Sequence, residues 1–290
     1  MPSASSNGIT LEYDTFGTAT NPPVLLIMGL GAQMTLWDPQ FCDAIAQRGF
    51  FVIRFDNRDV GLSTWFDESG TVDVRDVISG KVAAPYSLSD MAADAAGLLD
   101  ALGIPAAHIV GASMGGMIAQ TFAIEHPDKT LTLTSIMSTT GNREVGQPSP
   151  EALSALLGPV PTSKDEAIER GVAVSRVIGS PGFEFNEARI KERAASDFDR
   201  AFHSAGMVRQ LAAINVQPDR TTGLGTVTAP TLVIHGADDP LVTPSGGQAT
   251  ADAVTGSTLK MIPGMGHDLP EPLWGEIVDS LVQNFSRAAS

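Results

Sequence analysis

The chain has 290 residues, near the ~250–300 at which a single core stops growing, so it forms one large domain or one domain with an insertion. Apolar residues make up 43 % and charged residues 18 %, a globular composition rather than a disordered one. With 18 basic against 33 acidic residues the net charge is −15 and the pI about 4.6, which argues against nucleic acid and anionic membrane surfaces as partners.

Met1 to Gly8 is polar and lacks a basic-then-apolar signal pattern, which points to a soluble, cytoplasmic protein. Ile9, Leu11 and Tyr13 alternate with polar residues, as in a half-buried strand. The runs Pro23–Gly29 and Phe50–Asp56 are continuous rather than alternating, the mark of strands covered on both faces in a parallel sheet. Between them Leu36 to Gln47 reads as a helix. It contains the sole cysteine, Cys42, so neither an intrachain disulfide nor a cysteine-based metal site can form.

Ser87 or Ser89 can cap a helix running to Leu102, with Met91, Ala95, Leu98, Leu99 and Leu102 at helical spacing and Gly103 ending it. A strand Ala107 to Gly111, a sharp turn, a helix from Gly115 to Glu125 and a strand Thr130 to Met137 follow. Later strands span Thr231 to His235 and Thr258 to Ile262. A final helix lines up Trp274, Ile277, Val278, Leu281, Val282 and Phe285. Strands alternating with helices give βαβ units and an α/β fold with a mostly parallel sheet. From Gly141 to Gly225 the rhythm stops: the segment is punctuated by Pro and Ser and carries only short amphipathic helices. The expected organisation is a core of residues 1–140 and 226–290 with a helical cap, 141–225, over the site.

Gly111-Ala112-Ser113-Met114-Gly115 matches G-x-S-x-G. With 23 serines and 29 glycines, chance alone supplies roughly 0.2 such matches per chain, so the context decides. Here the motif lies between a strand and a helix, as a nucleophile elbow requires. The glycines Gly111 and Gly115 relieve crowding in a strained turn, and the helix that follows aims its first amides at the reacting centre.

A serine hydroxyl needs an adjacent base. His126 sits at a frayed helix end, His108 opens a strand, His203 lies in the helical segment, and His235 ends a strand as a packed residue. His267 lies in the turn Pro263–His267 after the last strand, at the carboxyl edge of the sheet where ligands collect. It is the expected general base. The base needs a carboxylate to fix its tautomer. Asp238 and Asp239 both follow the strand ending at His235, and spacing alone does not choose between them. The order Ser, Asp, His is that of α/β-hydrolases.

At this point the chain resembles the α/β-hydrolase superfamily of serine esterases along nearly its whole length outside the cap. The family carries a G-x-x-D pattern, which here runs Gly236-Ala237-Asp238-Asp239 and implies Asp239 as the triad acid. The stretch Ile27-Met28-Gly29-Leu30-Gly31 resembles the family's His-Gly segment, with Met28 where histidine is usual. The resemblance implies that the oxyanion hole is made by the backbone amides of Leu30 and Met114. Asp56 to Ser63 resembles D-x-R-G-x-G-x-S, with Asp59 in place of glycine, and implies a structural loop. Met28-Gly29, Arg58-Asp59 with Gly61 and Ser63, and Pro263–His267 are similar to aclacinomycin methylesterase-like bacterial carboxylesterases. That implies a small-molecule ester substrate, extending to methyl esters on a bulky aromatic or polyketide scaffold.

The expected activity is therefore carboxylic ester hydrolysis with no cofactor and no metal. A lactonase, C–C bond hydrolase, amidase or acyltransferase would use the same triad. A dehalogenase or epoxide hydrolase of this fold would carry Asp at position 113, and a non-catalytic binding protein could keep the fold. Within the cap, Leu153, Leu156, Leu157, Val177, Ile178, Phe183, Phe185 and Phe202 line either a substrate pocket or the cap's own core.

Overall fold

The apolar runs form the middle of a twisted sheet because each is covered on both faces. The computed structural model describes residues 2–70, 76, 77, 79, 81 and 83–289. Its strands are β1 Ser3–Ser6, β2 Ile9–Phe16, β3 Pro23–Ile27, β4 Phe51–Phe55, β5 Ala107–Ala112, β6 Thr130–Ile136, β7 Thr231–Gly236 and β8 Thr258–Ile262. They make one eight-stranded sheet in the order β1-β2-β4-β3-β5-β6-β7-β8. β1 and β2 pair antiparallel with each other, as do β2 and β4; every other pairing is parallel. Every residue of β5 and β7 is buried.

The helices described here are α1 Pro39–Ala46, α2 Leu88–Ala101, α3 Met114–Glu125, α4 Pro150–Leu156, α5 Lys164–Ile178, α6 Glu187–Arg200, α7 Ser204–Val216, α8 Thr221–Leu224, α9 Pro244–Ala253 and α10 Trp274–Ser286. α2 and α3 seal one face of the sheet with Leu88, Met91, Leu98, Leu99, Ile118 and Phe122. α1 and α10 seal the other with Phe41, Ile45, Ile277, Leu281 and Phe285. Ser87, not Ser89, caps α2: its Oγ accepts from Asp90 N while Asp90 Oδ2 accepts from Ser87 N, a reciprocal capping box. The first helix starts later than Leu36. Asp38 is its N-cap, accepting from Gln40 N, and Pro39 occupies the first helical position, where a missing N–H costs nothing. Residues Met34–Leu36 form a separate 3₁₀ turn.

Between β6 and β7 the described residues form helices and no strand. α5 and α6 bury no residue completely, and Leu153, Phe185 and Phe202 are 40 %, 36 % and 37 % exposed. Their apolar side chains are thus partly covered rather than sealed into a core. Among the described residues no helix is long and apolar enough to cross a membrane.

The helical segment is fastened to the loop after β4 by buried polar contacts. Asp59 has φ +68°, a left-handed conformation that glycine adopts freely and that Asp tolerates better than most residues. Its side chain answers Arg209 of α7 in a two-pronged pair: Arg209 Nε donates to Oδ2 at 2.8 Å and Nη2 to Oδ1 at 2.7 Å. Both side chains are almost wholly buried. Tyr86 Oη and Phe66 N also donate to Asp59. A carboxylate buried this way depends on its counter-charge. Arg209→Met should therefore destabilise the fold by roughly 3–5 kcal/mol, since it leaves Asp59 buried and unpaired. Adding Asp59→Gly removes that charge, frees the left-handed backbone and should restore part of the loss. Chemical denaturation of the wild type and the single and double variants checks this; a double variant less stable than Arg209→Met alone would contradict it.

Candidate active site

The turn from β5 into α3 is the most constrained point of the backbone. Ser113 has φ +58° and ψ −122°, a costly conformation for a residue with a side chain. Close approach holds it there. A Cβ on Gly111 would overlap the Gly115 carbonyl, and a Cβ on Gly115 would overlap the carbonyl of Ile27 at the end of β3. No side chain fits at either glycine of the motif. The strained turn lifts the Ser113 hydroxyl off the sheet edge and brings α3 against the end of β3.

His267 receives that hydroxyl. Its Nε2 lies 2.9 Å from Ser113 Oγ and its Nδ1 lies 2.7 Å from Asp239 Oδ2. Asp239 is 2 % exposed. Its other oxygen, Oδ1, accepts from the amides of Leu241 and Val242 at 2.9 and 3.0 Å, which fixes the carboxylate and aims Oδ2 at the imidazole. Asp238 points elsewhere: its Oδ2 accepts from Gly264 N at 2.7 Å and pins the loop that carries His267. The two neighbouring carboxylates thus do different work, one on the ring and one on the ring's backbone.

The remaining histidines lie outside this chain of contacts. His235 donates through Nε2 to Val242 O at 2.7 Å, and burial pushes its pKa below the usual histidine range. A neutral His235, 3.7 Å from Asp239 Oδ2, leaves the carboxylate's charge to His267. His108 is buried in β5 and its pKa is pushed down to about 4. His203 sits on Asp67 and stacks on Trp65.

The loop after β3 closes the site from the other side. A Cβ on Gly29 would stand 3.1 Å from Ser113 Cβ and 3.5 Å from its Oγ, so the Gly29–Leu30 turn abuts the serine. Among the described residues, the amides of Leu30 and Met114 have no hydrogen-bond acceptor. Met114 is the first residue of α3, where an N–H has no partner within the helix and carries the positive end of its dipole.

The helical segment between β6 and β7 reaches the loop that carries His267. His267 N donates to Ile178 O at 2.7 Å, Gly182 N donates to Gly264 O at 2.9 Å, and Gly266 N donates to Ser180 Oγ at 2.9 Å. None of these supports is legible in the sequence. No motif marks Ile178 or Ser180, and a backbone carbonyl leaves no trace in composition.

A model of the alpha/beta hydrolase fold matches residues 22–174, more than half of the chain. The chain belongs to the α/β-hydrolase family. It is 30 % identical over 299 residues to rhodomycin D methylesterase DauP of a Streptomyces species (strain C5), spanning 91 % of this chain and 92 % of that one. It is 28 % identical to 3-oxoadipate enol-lactonase 2 of Acinetobacter baylyi, spanning 89 % and 86 %. The enol-lactonase structure from Burkholderia xenovorans LB400 shares the fold with a TM-score of 0.75 at 22 % identity, covering 98 % of this chain and all of that one.

The two aspartates give a sharp test. An amide at position 239 favours the wrong imidazole tautomer, so Asp239→Asn should lower kcat by roughly 10⁴, as in the serine-protease triad. Asp238→Asn keeps an oxygen for Gly264 N, so it should cost about tenfold or less. Turnover of one ester by both variants decides, and a crippled Asp238→Asn would overturn the assignment.

Proposed function

We propose that the protein is a serine hydrolase that cleaves carboxylic esters through an acyl-enzyme on Ser113, with His267 as general base and Asp239 as the orienting acid. The observation that carries the reading is the continuous chain from Ser113 Oγ through His267 to Asp239, standing beside two unengaged amides. In the first half-reaction Oγ bonds to the ester carbonyl carbon as its proton passes to His267 Nε2. The carbonyl π pair moves onto oxygen, where the Leu30 and Met114 amides hold the oxyanion. Collapse of this intermediate breaks the bond to the leaving alkoxide, and His267 returns the proton to it. Water then attacks the acyl carbon, giving a proton to His267, and the second collapse frees the acid and restores Ser113. The cycle calls on no cofactor or metal ion.

The substrate reading is a methyl ester on a bulky aromatic or polyketide scaffold. It is supported by similarity to a rhodomycin D methylesterase over most of both chains. The partly covered apolar side chains of the helices between β6 and β7 support the same reading, with these helices serving as a cap, residues 141–225, that lines the acyl pocket. A lactone is the second reading, favoured by similarity to an enol-lactonase. A cytoplasmic setting belongs to the proposal, in keeping with a lone cysteine that is buried. The net charge of −15 supports a small-molecule partner rather than a polyanion or an anionic membrane.

A panel of methyl, ethyl, aryl and lactone substrates, run on the wild type and on Ser113→Ala, tests the reading. Ser113→Ala should fold normally and retain only the catalysis due to the oxyanion hole and binding, ~10³–10⁴ over water. Bulky aromatic methyl esters should outrank lactones. A Ser113→Ala variant with more than about a tenth of wild-type turnover would remove the serine from its role.

A further inference from the structure

The turn that presents the Leu30 amide does little to hold itself. Gly31 sits at φ +64°, and the turn's own closing bond, Ala32 N to Gly29 O, is long at 3.3 Å. What grips the turn comes from α7, some 180 residues further along the chain. Gln210 is completely buried. Its Oε1 accepts from Gly31 N at 2.8 Å, and its Nε2 donates to Arg58 O at 2.7 Å, in the loop after β4. Met207, one helical turn earlier, packs over Gly31: a Cβ there would meet Met207 Cγ at 3.0 Å. One step before Gln210, Arg209 is anchored to Asp59, so α7 cannot slide along the loop.

From this arrangement we infer that Gln210 is a positioning residue for the oxyanion hole. Its amide holds the Leu30–Gly31 peptide so that the Leu30 N–H faces the developing oxyanion. The inference rests on the proposed role of Leu30. Gln210 touches no reacting atom; it holds the peptide that follows Leu30 and so acts on the Leu30 N–H across the Leu30 Cα, from the neighbouring peptide plane. The physical reason is that an oxyanion hole works by preorganisation, and an amide displaced by about 1 Å can cost on the order of 10²-fold in rate. A buried side chain bonded at both ends, to two separate loops, supplies that rigidity. Its loss takes the side-chain partner from Gly31 N–H and leaves the Arg58 carbonyl, on a buried residue, without one.

The test is Gln210→Met, which keeps the length of the side chain and removes both hydrogen bonds. The intact protein is assayed on p-nitrophenyl acetate and titrated with a short aliphatic trifluoromethyl ketone. Ser113 Oγ adds to that ketone to form a hemiketal whose oxyanion occupies the hole. The expected result is a kcat lowered by ~10- to 100-fold with KM changed less than about twofold. Affinity for the ketone should fall by a similar factor, and the pH midpoint of kcat/KM should stay where it is, because His267 is untouched. A purely structural role would move the unfolding midpoint without this split. A folded Gln210→Met with wild-type kcat and ketone affinity would overturn the inference, as would a loss confined to KM.

Should Gln210→Met fail to fold, Gln210→Glu carries the test. Its protonated carboxyl can accept from Gly31 N and donate to Arg58 O, whereas the ionised form repels the Arg58 carbonyl. Its kcat relative to the wild type should therefore rise on acidification, and a flat ratio would overturn the inference. Ser113→Ala run in parallel separates the two levels: an active Ser113→Ala defeats the reading of the site itself, whatever Gln210 does.

Discussion

The structure depends on one close approach, that of the first turn of α3 to the end of β3. Only hydrogen fits on Gly115 where it meets the Ile27 carbonyl, and only hydrogen fits on Gly111 where it meets Gly115. The contact fixes three things together. It places Ser113 in its left-handed conformation, it sets the first amide of α3 beside the hydroxyl, and it brings the β3 loop and the elbow into one corner. The two strands that meet there, β3 and β5, are paired in parallel register from Val24 with His108 to Ile27 with Gly111. Neither strand can shift without moving Ser113 or the loop that faces it, and the strain at Ser113 is borne by the fully buried strand β5.

Around that corner, the loops that bring the other groups are fixed from outside the sheet. The His267 loop is tied on one side to Asp238 and on the other to Ile178 and Ser180. The β3 loop is tied through Gly31 to Gln210, and Gln33 Nε2 donates to the carbonyls of Asp197 and Ala201 at 2.6 and 2.7 Å. Asp56, fully buried, joins the same network: it accepts from Met34 N and pairs with Arg200 at 2.7 Å. The helices between β6 and β7 therefore hold the His267 loop and the β3 loop in place beside Ser113.

Much of this was legible in the sequence, and the boundary has physical causes. Strands buried on both faces leave unbroken apolar runs, so β3, β4, β5 and β7 stand out. The elbow stands out because steric exclusion at two positions demands glycine. Asp239 was separable from Asp238 only through the family pattern, since adjacent carboxylates look alike until the backbone aims them. α9 was missed for a definite reason. Its buried face is Gly246, Gly247 and Thr250, because it packs so closely on β7 that a Cβ on Gly247 would strike the His235 ring. A helix whose contact face is glycine has no apolar stripe to read. β1, written Ser-Ala-Ser-Ser, is held by backbone pairing to β2 and by Ser6 Oγ donating to Asp94 O, neither of which leaves a hydrophobic pattern. Gln210 and Ser180 were invisible because their significance lies in what they touch across the fold.

The central claim is that Ser113 becomes acylated during turnover. Its most direct test is rapid acid quenching of the wild type reacting with p-nitrophenyl acetate, followed by proteolysis and mass spectrometry of the peptides. The account predicts an acetyl group on the peptide containing Ser113, formed as fast as the initial burst of p-nitrophenol and lost on further incubation in water. Turnover with no acetylated Ser113 at any quench time, or with the acetyl group on another side chain, would contradict it.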